Sequence, residues 1–113
     1  MTFTTDQRGP VTVIHLDGNL MGGPDASTLN EQLNALVDAG KTSVVIDLGG
    51  VQFMNSSGLG LLIGGVTALK NAGGALKIAA ASQKIAELFR ITRLTSFLEN
   101  HPTVDAAVAS FTA

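Results

Sequence analysis

The residues able to do chemistry in this 113-residue chain are few and close together. Ser56 and Ser57 stand side by side behind Asn55, while His15 and His101 lie far from them along the chain. A serine nucleophile needs a base within hydrogen-bond reach and an oxyanion hole. The two serines are not in a Gly-x-Ser-x-Gly elbow. Sequence alone brings neither His15, inside an apolar strand, nor His101, in a loop, to Ser56. His15 reads as a satisfied structural histidine and Asp47 as a polar strand-end residue. No clustered His or carboxylates carry metal-site spacing, and there is no Cys for a thiolate ligand or a disulfide. Gly22-Gly23 lacks the Gly-Lys-Ser/Thr ending of a phosphate loop. The expectation is therefore no enzyme, no catalytic residue, no metal and no cofactor. What remains to Ser56 and Ser57 is the chemistry of a small hydroxyl at a helix start, where Ser, Asn and Asp satisfy free backbone N–H groups.

The elements around these serines are well marked. Val44, Val45 and Ile46 are β-branched, Leu48 follows, and Gly49-Gly50 ends the run, so a short buried strand is expected. Phe53 and Met54 are expected to tuck the connection under the sheet. Beyond the serines, Leu59, Leu62, Val66 and Leu69 recur on one helical face. That helix also holds Gly58, Gly60, Gly64 and Gly65. Each interior glycine costs about 1 kcal/mol against alanine. Gly60 and Gly64 share a face with Thr67 and Asn71, away from the apolar stripe. Such a face serves either tight packing of the helix on its own sheet or the docking of a partner.

The string Phe53-Met54-Asn55-Ser56-Ser57-Gly58-Leu59-Gly60 resembles the signature of the STAS domain family, typified by bacterial anti-sigma-factor antagonists. The family pattern has Asp where this chain has Asn55. In the family the first of the two hydroxyl residues is phosphorylated, which by motif position is Ser56. Gly18-Asn19-Leu20 resembles a second family segment, a loop beside the serine loop. Met21 replaces its usual Asp, and Gly22-Gly23 lengthens it. The resemblance implies a partner switch. The unmodified protein binds an anti-sigma factor that is also a serine kinase, ATP-dependent phosphorylation of Ser56 ends the binding, and a phosphatase resets it. Asn55 would hold the loop, and Ser56, Ser57, Gly58, Gly60 and Gly64 would form the partner-binding face. Two other STAS roles are expected alternatives: an accessory subunit of a lipid-transport ABC ATPase, and a non-phosphorylated signalling scaffold.

The rest of the chain reads as one STAS-like α/β domain over residues 1–113. Thr2–Arg8 and Val11–Leu16 form a hairpin about Gly9-Pro10. Pro24 and Asp25 open a helix carrying Ala26, Leu29, Leu33, Leu36 and Val37, which stops near Gly40. Ala75–Ala80 is a strand, and Ser82 caps a helix with Ile85, Leu88 and Phe89. Phe97-Leu98-Glu99 is read as a short last strand, with Asn100-His101-Pro102 breaking the chain. Thr103 caps a terminal helix with Val104, Ala107, Val108 and Phe111 inward. The order ββαβαβαβα predicts a mixed sheet of 4–5 strands with about four helices. A net charge of −2, no Trp or Tyr and scattered Phe offer no footprint for direct nucleic-acid binding. No apolar run reaches a membrane span and no signal peptide is visible, so the expected place is the cytoplasm. Oligomeric state is not legible.

Overall fold

The computed structural model describes residues 2–21 and 23–111, and in the first helix not the side chains of Asp25 and Ala26. The expectations for Gly22, Asp25 and Ala26 lie outside what is described. The Thr-rich edge segment Thr2–Arg8 forms β1, which turns at Gly9-Pro10 into β2 (Val11–Asp17). The chain continues through α1 (Pro24–Asp38), β3 (Ser43–Gly50), α2 (Ser56–Asn71), β4 (Ala75–Ala79), α3 (Gln83–Ile91), β5 (Asn100–His101) and α4 (Val104–Ser110). The sheet order follows the chain, β1-β2-β3-β4-β5. β1 and β2 pair antiparallel and all later pairs are parallel, because each later crossover carries a helix.

Strand alternation sends residues to two different faces. Ile14, Leu16, Val44, Ile46, Leu48, Leu76 and Ile78 point to the face covered by α1, α2 and α3. Val11, Val13, Val45 and Ala79 point to the other face, where α4 covers them with Val104, Ala107, Val108 and Phe111. The Ser82 and Thr103 hydroxyls accept hydrogen bonds from Ile85 N (3.2 Å) and Ala106 N (3.0 Å), as their sequence positions predict.

One expectation about the elements fails. The last strand is Asn100–His101, not Phe97–Glu99. The Leu98 and Phe97 amides both bond back to Leu94 O, so the chain is still turning there. Leu98 is fully buried as a loop anchor, so its apolar character serves the core and not a strand. In α2 the expected stripe packs inward: Leu59, Leu62 and Leu69 are buried together with Leu61, and half-buried Val66 packs against the same core.

Candidate functional site: the start of α2

β3 ends in a tight turn in which Val51 N donates to Leu48 O at 2.9 Å. Met54 is buried and forms a parallel bridge with Leu20. Leu20 N donates to Phe53 O at 3.0 Å, and Asn55 N donates to Leu20 O at 3.3 Å. The loop after β2 therefore lies against the loop that carries the serines. Phe53 does not tuck under the sheet as expected: it is exposed, with the Lys84 ammonium 5.4 Å from its ring centre.

Asn55, not a serine, caps α2. Its backbone is extended and its Oδ1 accepts from Gly58 N at 2.9 Å. Its Nδ2 donates to Met21 O at 3.1 Å. Ser56 and Ser57 thus occupy the first two helical positions. Both are exposed, and their hydroxyls bond to no described residue. The first turn of α2 has no acidic residue. With the helix dipole and free N–H groups there, that end is electropositive and accommodates an anion.

Among the predicted partner-facing residues, Ser56, Gly60 and Gly64 follow one another at a spacing of four, Ser57 stands beside them, and all four are exposed. A Cβ built on Gly60 or Gly64 meets nothing within 4 Å, so the fold itself makes no use of their smallness. Gly58 is a correction: it is buried, and a Cβ there would lie 2.1 Å from Leu20 O. It joins the two loops and presents nothing outward. Sequence reasoning missed the exposure of Met21 and Phe53, which flank Asn55. Next to the loop, a groove of about 270 Å³ is lined by Phe53, Met54, Lys84, Leu88 and Ile91. No sequence signal separates an apolar groove wall from an apolar core residue.

The histidines stand elsewhere. His15 Nδ1 lies 2.6 Å from Asp47 Oδ2, and Asp47 Oδ1 accepts from Gly49 N at 2.8 Å. His15, two residues after Val13, shares its face of the sheet, the α4 side opposite α2. His101 Nε2 pairs with Glu99 at 2.6 Å, and Lys77 Nζ is 3.1 Å from the same carboxylate. The His101 bond, with the lysine contact, holds the Glu99 carboxyl below its ordinary range. Neither histidine makes a hydrogen bond to Ser56; each is held by a carboxylate instead. No His, Cys and carboxylate cluster among the described residues could hold a metal ion, and no described helix is long and apolar enough to cross a membrane.

The sequence matches the STAS domain over residues 2–107. The chain belongs to the STAS domain family. This STAS domain is 28% identical over 111 residues to BtrV of Bordetella bronchiseptica, whose name places it among the anti-sigma factor antagonists; the match covers 98% of this chain and 95% of BtrV. It is 35% identical over 74 residues to the anti-sigma-B factor antagonist of Bacillus subtilis, covering 66% of this chain and 67% of that protein. Its fold is that of the Bacillus cell fate determinant SpoIIAA, solved in its phosphorylated form, at a TM-score of 0.75 and 20% identity over 97% of this chain and 99% of that one. The two sequence relatives are thus named as anti-sigma factor antagonists, and the mixed sheet with four helices among the described residues is the fold this chain shares with SpoIIAA.

Proposed function

We propose that this STAS domain is an anti-sigma-factor antagonist acting as a phosphorylation-controlled partner switch in the cytoplasm. With Ser56 unmodified it binds an anti-sigma factor that is also a serine kinase. The kinase moves the γ-phosphoryl group of ATP to Ser56 Oγ, leaving ADP and a proton, and a separate phosphatase hydrolyses the phosphoserine. The observation that carries this reading is the state of Ser56: exposed, unbonded, and not needed as the helix cap. A kinase can reach it without breaking any contact of the fold. The phosphorylated form of SpoIIAA is a fold relative that supports the reading.

The physics of the switch is local. Phosphate adds about −1.5 to −2 charges. The dipole and free N–H groups at the α2 start receive the anion, and no first-turn carboxylate opposes it. The fold therefore persists while the surface changes from neutral to dianionic. A partner that buries an unpaired charge loses several kcal/mol, about 10²-fold or more in affinity. The test is titration of the cognate serine kinase with wild type, Ser56→Ala and Ser56→Asp. Ser56→Ala should bind as wild type does, and Ser56→Asp at least tenfold more weakly. Equal affinity for all three discards the switch.

A further inference from the structure

The Asn55 side chain is engaged at both ends, and the two ends hold different elements. Oδ1 accepts from Gly58 N at 2.9 Å, within α2. Nδ2 donates to Met21 O at 3.1 Å, in the loop after β2. The orientation of the amide is dictated by its partners, since Gly58 N is a donor and Met21 O an acceptor. A carboxylate in the same place would keep the first bond and lose the second. Its other oxygen would face the Met21 carbonyl, acceptor against acceptor. The amide thus does something that neither Asp nor a shorter cap residue can do. Met21 itself is 43% exposed, an apolar side chain held beside the serine loop.

We propose that Asn55 is a positioning residue: its amide fixes the Met21 loop to the start of α2, so that Met21 and Ser56 meet the partner as one rigid surface. The partner so selected places an apolar side chain over Met21 next to the group that meets the serine. This inference rests on the reading of Ser56 as the docking centre. Its first test does not, because loop order is measured on the free chain.

Amide hydrogen exchange would be followed by NMR for wild type, Asn55→Asp and Asn55→Ser, and each would then be titrated with the cognate serine kinase. In both variants the amides of Leu20 and residue 55 should exchange about three- to tenfold faster, the effect of one lost neutral hydrogen bond. The Gly58 amide should stay protected, because both replacements retain a cap acceptor. Kinase affinity should fall by a similar factor in both, the uncharged Ser variant excluding a charge effect. Loop exchange within twofold of wild type in both variants overturns the clamp. Faster exchange with unchanged kinase affinity overturns the rigid-surface role. Should Ser56→Asp bind like wild type, the switch falls, while the exchange data on the free chain still decide the clamp.

Discussion

Within α2, Gly58 and Gly65 face inward, and Gly60 and Gly64 face outward. A Cβ on Gly58 would strike the Leu20 backbone at 2.1 Å, and one on Gly65 would press Leu33 and Leu76 methyls at 3.1 Å. A Cβ on Gly60 or Gly64 would enter open space. The inward pair is explained by the fold: it lets a loop and two leucines approach the helix axis. The outward pair lowers helix stability and the fold gains no packing from it. Packing therefore accounts for half of the glycine content of this helix, and the other half is left to the partner surface proposed around Ser56.

Substitution to alanine separates the pairs, and the largest effect belongs to Gly58. Its obstacle is backbone, which cannot swing aside, so Gly58→Ala should cost about 3 kcal/mol or more, at the upper end of overpacking penalties. Urea denaturation measures it, and a loss under 1 kcal/mol would mean that the loop yields easily. Next come Gly60→Ala and Gly64→Ala. Without obstruction, each should stabilise the domain by about 0.5–1 kcal/mol through helix propensity and reduced unfolded-state freedom. The double variant should nonetheless bind the proposed serine kinase more weakly, because two methyl groups roughen the face. Tighter folding with undiminished binding would remove the outward pair from the interface. Gly65→Ala should be smaller still. Its obstacles are the ends of flexible leucines, so strain and propensity gain oppose one another, leaving a net change of about 1 kcal/mol or less.

The smallest expected effect lies on the α4 side and serves as a control for the α2 side. The folded Glu99 carboxyl is held below its ordinary range, chiefly by the His101 bond. The fold therefore favours its ionised form. That contribution is present above the carboxyl's unfolded value, about 4.3. It fades as pH falls through the lower folded value. Glu99→Gln should flatten the acid end of the stability curve slightly, since Glu99 is half-exposed and screened. Kinase binding should not move, because Glu99 belongs to the cluster beside β5, away from the α2 start.

Much of this was readable beforehand wherever the governing interaction is local. The β3 run of Val44, Val45 and Ile46 forms the expected core strand, and Ser82 and Thr103 cap the helices that follow them. Capping needs only an oxygen and an amide three residues apart, so a short window of sequence contains both partners. The same logic left the cap of α2 ambiguous, since Asn55, Ser56 and Ser57 all carry suitable oxygens. The loop settled it: bonds between Asn55 and Leu20 and between Asn55 and Met21 place the residue in extended backbone, one position before the helix. The last strand lies later than the Phe97–Glu99 pattern predicts, because Leu98 is apolar for the sake of the core, not of a strand.

The order of elements, the two-faced strands and the hydroxyl pair at the head of a glycine-rich helix follow from residue type and spacing, because these obey interactions spanning a few residues. Which glycines are filled against, which apolar side chains stay in water and which residue ends the helix depend on what arrives from 30 or more positions away, as Leu20 and Met21 arrive at Asn55 and Gly58. Steric exclusion and hydrogen-bond pairing between such distant segments exist only once the chain is folded, and so only the tertiary structure could decide them.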